Sequence, residues 1–538
     1  MPDNSYQDAR ARRLTAALTL LAVLVPLGYA LVTDHRWEDF YITYRNSRNL
    51  VEGRGMHFHE DARVHSFTSP IGTLVPALFL RISGSDEAAL WMFRMLGILM
   101  FAAGWLAFAS CIRRGGGPVA PILAMSGLLL ALDAKAACFT VNGMETGVML
   151  GFSALAFRAA FLGIGRHWLA AGLSWTGLMW TRPDGCLYIL FFTLASLVFA
   201  NEPRREILRG CLKAGLVCTV LYLPWFAGAT WYYGSPVPQS IRAKAPLYPF
   251  AHFKGLIKNA WWLPWQRLAG CFTGTYADLG GWPAWTWIEA RLLAGFCAFW
   301  FLVPSSDRLG RMASLAFCLF GFYLGYIIPF PWYYPPVTAL GLLVLGRAFL
   351  LLAARFPPGA LARRAAWTLN GIMLAGSLYF LCVNTLAMKI RYEEVDAGNL
   401  KRIGLWLKNH ISPGERAFFE PLGTISYFSG ARVINFPGLC SPEVTEIVRA
   451  RKLPLREGGY AQVIPIFKPD WLIMRPGKES EALALPEVRE NYQWVTTFDV
   501  REQVLRRRSP VGADYLLCDA VFKVYRRIKP GTASDPGG

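Results

Sequence analysis

Charge is scarce in this sequence. Asp, Glu, Lys and Arg make up 17% of its 538 residues while 54% are apolar, and the mean hydropathy is +0.31. A soluble chain is about 25% charged, so the composition excludes a soluble globular protein and implies a polytopic membrane protein. Other features are missing too. No cysteine spacing resembles a metal site, which argues against structural zinc. No internal repeat or long low-complexity stretch stands out, whereas a secondary transporter should show repeats and polar residues at mid-membrane depth. Beyond residue 390 there is neither a phosphate loop nor a nucleophile elbow. Acidic residues are outnumbered, 36 against 55 basic, for a formal charge of +19.

Apolar runs of the length needed to cross the hydrocarbon layer as a helix recur from residue 14 to about 388, and the chain then turns mixed and polar. This predicts a transmembrane domain over 1–390, a water-soluble domain over 391–528 and a disordered tail over 529–538. The first span, 14–32, follows Arg10, Arg12 and Arg13 without a small-residue cleavage site, so it is expected to remain as helix 1 with its amino end in the cytoplasm. Ser69 to Ile82 is short and carries two prolines, and is expected to lie at the interface. The remaining spans fall near 89–112, 118–133, 145–163, 168–181, 184–200, 210–228, 285–304, 311–329, 333–352 and 366–388, about eleven in all. The loops holding Arg113 and Arg114, Arg166, Arg204, Arg205, Arg209 and Lys213, Arg308 and Arg311, and Arg355, Arg363 and Arg364 then all face the cytoplasm, as the positive-inside rule demands.

Residues 33–88, residues 229–284 and the carboxyl domain then converge on the outer face. Much of the surplus positive charge lies there, in Arg36, Arg45, Arg48, Arg54, Arg63, Arg242, Lys244, Lys254 and Lys258. A basic outer face suits an anionic headgroup or a phosphate-bearing lipid, or ordinary contact with anionic membrane lipids. Most of the eleven cysteines lie within spans as packing residues. Cys138, Cys271, Cys440 and Cys518 are the ones that could meet an oxidising compartment, and a Cys440 to Cys518 bridge is left open.

The loop from Trp37 to Pro70 is the densest in charge. Glu38 and Asp39 are adjacent, and consecutive helical residues point about 100° apart, so they would not share one proton as a dyad. A carboxylate there has two readings, a general base toward an acceptor hydroxyl or a helix amino-terminal charge on the dipole. Tyr41, Tyr44, Arg45, Arg48 and Asn49 follow at three- and four-residue steps, a stripe that can stack on a sugar and pair with phosphate, and Gly53 and Gly55 end the helix. His57, His59 and His65, with Glu60 and Asp61, could pass for a metal cluster. His65, before F-T-S-P, is the better neighbour of an active site.

Five motifs stand in order: E-D-F-Y-I-T-Y-R-N-S-R-N-L-V-E-G-R-G, V-H-S-F-T-S-P-I-G, N-G-M-E-T-G at 142–147, T-R-P-D-G at 181–185 and Y-Y-G-S-P-V-P-Q-S-I-R-A-K at 232–244. Together they resemble bacterial glycosyltransferases of the GT-C superfold, in the arabinofuranosyltransferase-like and mannosyltransferase-like branch that uses polyprenyl-phosphate sugars. The resemblance covers most of the membrane domain and, more loosely, the carboxyl domain. It implies a hexosyl- or pentosyltransferase in the bacterial inner membrane, with the carboxyl domain periplasmic or extracellular. Its donor would be a lipid-linked sugar and its acceptor a glycan, lipid or protein of the envelope, with no nucleic acid partner. Transfer would invert the sugar, with Asp39 as base. The commonest form of the motif has Asp at both acid positions, so the role of Glu38, including binding of a divalent cation such as magnesium or manganese, is left open.

The leaving phosphate needs cationic stabilisation, for which the sequence offers Arg94, Arg182, Arg242 and Lys244. Within the membrane a cation must pair or line a polar cavity, so Arg94 is read as a functional contact, with pairing to Glu145 or snorkelling to the surface as alternatives. Arg182 is read either functionally or as a structural partner of Asp184, and Glu145 as a helix cap. Beyond 390, a helix over 396–410 precedes strand-like runs at Ala417 to Phe419, Val433 to Phe436, Trp471 to Met474, Trp494 to Phe498 and Ala520 to Tyr525. This predicts a small, mainly parallel α/β sheet for acceptor recognition or shielding of the cleft. A membrane transporter or flippase and a non-catalytic scaffold are the rival classes.

Overall fold

The computed structural model describes residues 4–528 apart from 61, 200, 246–258, 260–261, 305–306, 328, 358 and 456–457. Asp61, Lys254, Lys258 and the expected tail lie outside the described residues. All eleven expected spans are helices. In chain order the elements up to residue 244 are α1 (Asn4–Thr33), α2 (Glu38–Val51), α3 (Pro70–Ser83), α4 (Asp86–Arg114), α5 (Val119–Ala131), α6 (Ala134–Val141), α7 (Thr146–Leu162), α8 (Trp168–Thr181), α9 (Gly185–Phe199), α10 (Arg204–Tyr233) and α11 (Gln239–Lys244). Further long helices are Ala284–Phe299, Arg308–Tyr326, Tyr334–Ala354 and Leu361–Ile390. Among the described residues six helices are long and apolar enough to cross a membrane, or seven if α5 and α6, bent by 55°, form one span.

Local chemistry sets the ends. Ser69 caps α3 by accepting from the Gly72 amide, with Pro70 at the first helical position. Ser85 caps α4, whose first turn carries Asp86 and Glu87 and whose last carries Arg113 and Arg114, the polarity that the helix dipole favours. Small residues let helices approach: a Cβ on Gly97 of α4 would collide with the Thr140 carbonyl oxygen of α6, and one on Gly147 of α7 with the Gly97 carbonyl oxygen.

The basic loops gather at one end of the bundle. Arg308 donates to the Phe161 carbonyl, the Arg311 guanidinium lies over the Phe199 ring, and Arg347 pairs with Asp307 at 2.9 Å while donating to the Gly115 carbonyl at 3.0 Å. The opposite end holds α2, α3, the turns 142–145 and 182–184, α11 and the carboxyl domain.

Leu361–Ile390 runs through a π-helical stretch, Arg391–Leu400, into Lys401–His410. The stretch is buttressed from the sheet domain: the Arg391 Nε contacts Asp396 at 3.0 Å, its guanidinium also pairs with Asp519, and Asp519 receives Arg475 at 2.6 Å. The strands are β1 (Arg416–Phe419), β2 (Arg432–Ile434), β3 (Trp471–Met474), β4 (Tyr492–Asp499) and β5 (Val521–Arg527), in the order β2-β1-β3-β5-β4. β1 pairs in parallel with β2 and β3, but β5 runs antiparallel to both β3 and β4. The sheet is thus mixed and not mainly parallel. The physical reason is burial. β3 is buried along its whole length, as central strands flanked by helices are, whereas edge strand β4 exposes much of its length, which antiparallel pairing tolerates.

Candidate active site

α2 is fixed from below and beside. The Trp37 amide donates to the Asn142 carbonyl at 2.9 Å, and Phe40 fills the space that a side chain on Gly143 would need, with φ +91° at that glycine. The Trp37 ring sits among Phe139, Tyr276 and Trp332 at 4.8, 5.6 and 5.9 Å. The first loop and N-G-M-E-T-G are thereby one unit.

From this anchor the faces of α2 diverge. Glu38, Tyr41, Arg45 and Arg48 stand at three- and four-residue steps, and the structure turns them toward the helix Gly423–Ser429 of the carboxyl domain. The Glu38 carboxylate accepts from the Gly423 and Thr424 amides. Tyr41 packs on Tyr427 and Phe428 at 5.1 and 5.5 Å. Arg45 donates to the carbonyls of Ser426, Gly430 and Ala431 at 2.8, 3.2 and 3.2 Å, with its guanidinium 4.5 Å from the Phe58 ring. Burial pushes its pKa down to about 10. Arg48 contacts Glu52 at 2.9 Å and the Tyr427 hydroxyl at 3.1 Å. Tyr44 is buried, and its hydroxyl donates to Asp86 at 3.0 Å. Burial, then the neighbouring Asp39 charge and a side-chain hydrogen bond to Asp39, raise the Glu38 carboxyl well above the usual glutamate range.

Asp39 stays in contact with its neighbour: a side-chain hydrogen bond joins the Glu38 and Asp39 carboxyls, against the expectation that the two acids would not share a proton. Its charge acts on Lys244 and Tyr276. Burial lowers the Lys244 pKa, opposed by the Asp39 carboxylate and reinforced by the Arg182 guanidinium. The ammonium lies 4.6 Å from the centre of the Phe330 ring. Arg182 is held by Asp184 at 2.9 Å and Glu145 at 3.1 Å, over the Tyr333 ring at 4.3 Å, and the Tyr323 hydroxyl donates to Asp184 at 2.6 Å. Arg182 therefore has both acids, and Glu145, at the cap position of α7, makes no cap hydrogen bond with its side chain. Glu145 in turn lies 3.4 Å from where a Cβ on Gly72 would stand. The E-D, S-P-I-G, N-G-M-E, T-R-P-D-G and R-A-K motifs meet around one polar centre.

Other candidates stand apart from it. His65 stacks on Tyr233 at 4.6 Å, its carbonyl accepts from the Gln239 amide at 2.7 Å, and burial pushes its ring pKa down to about 4, so the imidazole is neutral. Gln239 then reaches Gly438 and Thr445 of the carboxyl domain. Arg242 is exposed, and its carbonyl accepts from Arg449. Arg94 is fully buried and pairs with Asp34 at 2.9 Å, and not with Glu145; it also donates to the carbonyls of Val141 and His35 at 2.8 and 3.3 Å. His59 contacts the Val433 carbonyl at 3.0 Å. Sequence reasoning missed Asp34, Tyr276 and the buried cations Lys135 and Arg347; the two cations were legible as charges inside apolar runs.

Among the described residues no group of three His, Cys, Asp or Glu is placed to hold a metal. All eleven cysteines are free, with Cys440 buried and Cys518 exposed.

The carboxyl portion, residues 388–518, matches a family described as a domain of unknown function, DUF8728. No curated protein matches the chain by sequence. Solved structures do match it in shape. ArnT from Cupriavidus metallidurans bound to undecaprenyl phosphate aligns with TM-score 0.53 and 13% identity over 96% of this chain and 98% of its own. The apo state of the same protein gives 0.50 and 13% over 95% and 97%. The Archaeoglobus fulgidus oligosaccharyltransferase in complex with zinc and sulfate gives 0.54 and 11% over 90% and 72%. The chain has the GT-C fold of membrane glycosyltransferases.

Proposed function

We propose that this chain is an inverting membrane glycosyltransferase. It moves a hexose or pentose from a polyprenyl-phosphate donor to an envelope glycan, lipid or protein on the outer face of the bacterial inner membrane. The observation that carries the reading is that the fold brings α2 and α11 to one end of the bundle, where the Asp39 carboxylate acts on the buried Lys244 ammonium. In the reaction the acceptor hydroxyl oxygen attacks the anomeric carbon, the bond from that carbon to the phosphate oxygen breaks, and the hydroxyl proton passes to the Asp39 carboxylate. Lys244 holds the charge that develops on the leaving polyprenyl phosphate. The buried Arg182, paired with Glu145 and Asp184, positions the wall behind Lys244. Glu38, Arg45 and Arg48 hold the carboxyl domain over the site. The rest of the basic outer face meets anionic membrane lipid.

Asp39→Asn keeps the shape and removes the base. In membranes supplied with a polyprenyl-phosphate sugar, transfer should fall by about 100- to 10,000-fold with the protein still folded. Undiminished transfer would refute the assignment.

A further inference from the structure

The bend between α5 and α6 carries a lysine inside the bundle. Lys135 is 3% exposed. Its ammonium donates to the Gly270 carbonyl, lies 3.4 Å from the Thr273 hydroxyl, and sits 4.9 Å from the centre of the Tyr334 ring. Asp133, two residues earlier, is occupied as the cap of α6, accepting from the Ala136 amide at 2.7 Å. Among the described residues no carboxylate forms an ion pair with Lys135, an arrangement that is costly inside a membrane bundle and marks a functional position.

Beside Lys135 is a cavity of about 80 Å³ that Arg267, Gln266 and Tyr334 also line. Arg267 has a buried Nε without a hydrogen-bond partner, and its guanidinium makes no ion pair among the described residues. The acid of the lining, Asp278, is exposed. Two cations, one fully buried and one with an unused donor, thus face a chamber whose carboxylate is open to solvent. Tyr276 forms part of the wall, and stacks on Trp37 at 5.6 Å, so the chamber adjoins the Asp39 face without sharing its cations.

We propose that this chamber is a second anion site, built for a phosphate group and distinct from the one at Lys244. The Arg267 guanidinium and the Lys135 ammonium would donate to the phosphate oxygens, with the Gln266 amide completing the shell. The group comes either from a lipid headgroup or from free phosphate. The inference concerns binding and does not depend on the transferase reading.

Equilibrium binding of radiolabelled orthophosphate and of dioctanoyl phosphatidic acid to the full-length protein in phosphatidylcholine nanodiscs tests it. Wild type should bind, and Arg267→Gln should weaken binding about tenfold, the effect of one charge-assisted contact. Lys244→Met should leave this component in place, and so should Asp39→Asn, which separates this outcome from the fate of the proposed reaction. Binding of both probes assigns the site to phosphate generally, and binding of phosphatidic acid alone assigns it to a lipid headgroup. Lys135→Met, where it folds, should abolish the component. No binding of either probe, or a component lost in Lys244→Met and intact in Arg267→Gln, would overturn the proposal.

Discussion

The two sides of α2 are built from the same stretch of sequence and meet different worlds. Glu38, Tyr41, Arg45 and Arg48 are engaged by backbone amides, carbonyls and rings of the Gly423–Ser429 helix. Asp39 hydrogen-bonds the Glu38 carboxyl, and its charge also acts on Lys244 and Tyr276. The difference teaches that charge density alone does not mark chemistry. An arginine whose terminal nitrogens donate to three carbonyls of the carboxyl domain is fastening two domains, while the proposed base lies on the same helix beside Glu38.

The largest stability effect is expected behind the Asp39 face. Arg182→Ala leaves the buried Glu145 and the half-buried Asp184 without their cation, which should cost about 3–5 kcal/mol and lower the thermal midpoint of the purified protein. An unchanged midpoint would mean that the triad is not held as described. On the docking face Arg45→Ala removes three carbonyl contacts and should loosen the carboxyl domain by about 2–3 kcal/mol. Limited proteolysis between residues 390 and 430 should speed up accordingly, with the helical bundle intact. Lys244→Met should raise the donor KM about tenfold, the loss of one charge-assisted contact, and a change confined to the acceptor KM would remove Lys244 from the phosphate role.

The smallest effect is one of pH. The Glu38 carboxyl is held above its unfolded value, so its contribution to docking is complete below the ordinary glutamate pKa and is lost as pH rises through the raised value. Glu38→Gln cannot ionise, so its protease resistance at high pH should exceed that of wild type. Parallel pH profiles for the two proteins would place Glu38 outside this linkage.

Much of the fold was legible because hydrophobic length and strand-like runs are local signals. Trp471 to Met474 is the strand that the apolar run describes, and each long apolar run is a helix. The antiparallel return of β5 was not legible, since pairing direction depends on which strand lies alongside. The Tyr41, Arg45 and Arg48 stripe reads as a sugar- and phosphate-binding face, yet its partner lies some 380 residues away, from Arg45 to Ser426 and Gly430, and nothing in the local spacing names that partner. Arg94 was legible as a membrane-buried cation, but its acid, Asp34, adopts a left-handed backbone at φ +42° just past α1, a turn that no periodicity announces. The contact between the Glu38 and Asp39 carboxyls was not legible, since the 100° step between consecutive residues predicts side chains that diverge.

The most direct test compares Asp39→Asn with Glu38→Gln in one donor-consumption assay at neutral pH, both proteins checked for the wild-type proteolytic pattern. Loss of transfer in Asp39→Asn, with transfer near wild type in Glu38→Gln, is the predicted result. Full transfer by Asp39→Asn, or loss confined to Glu38→Gln, would contradict the division of α2 into a reacting face and a docking face.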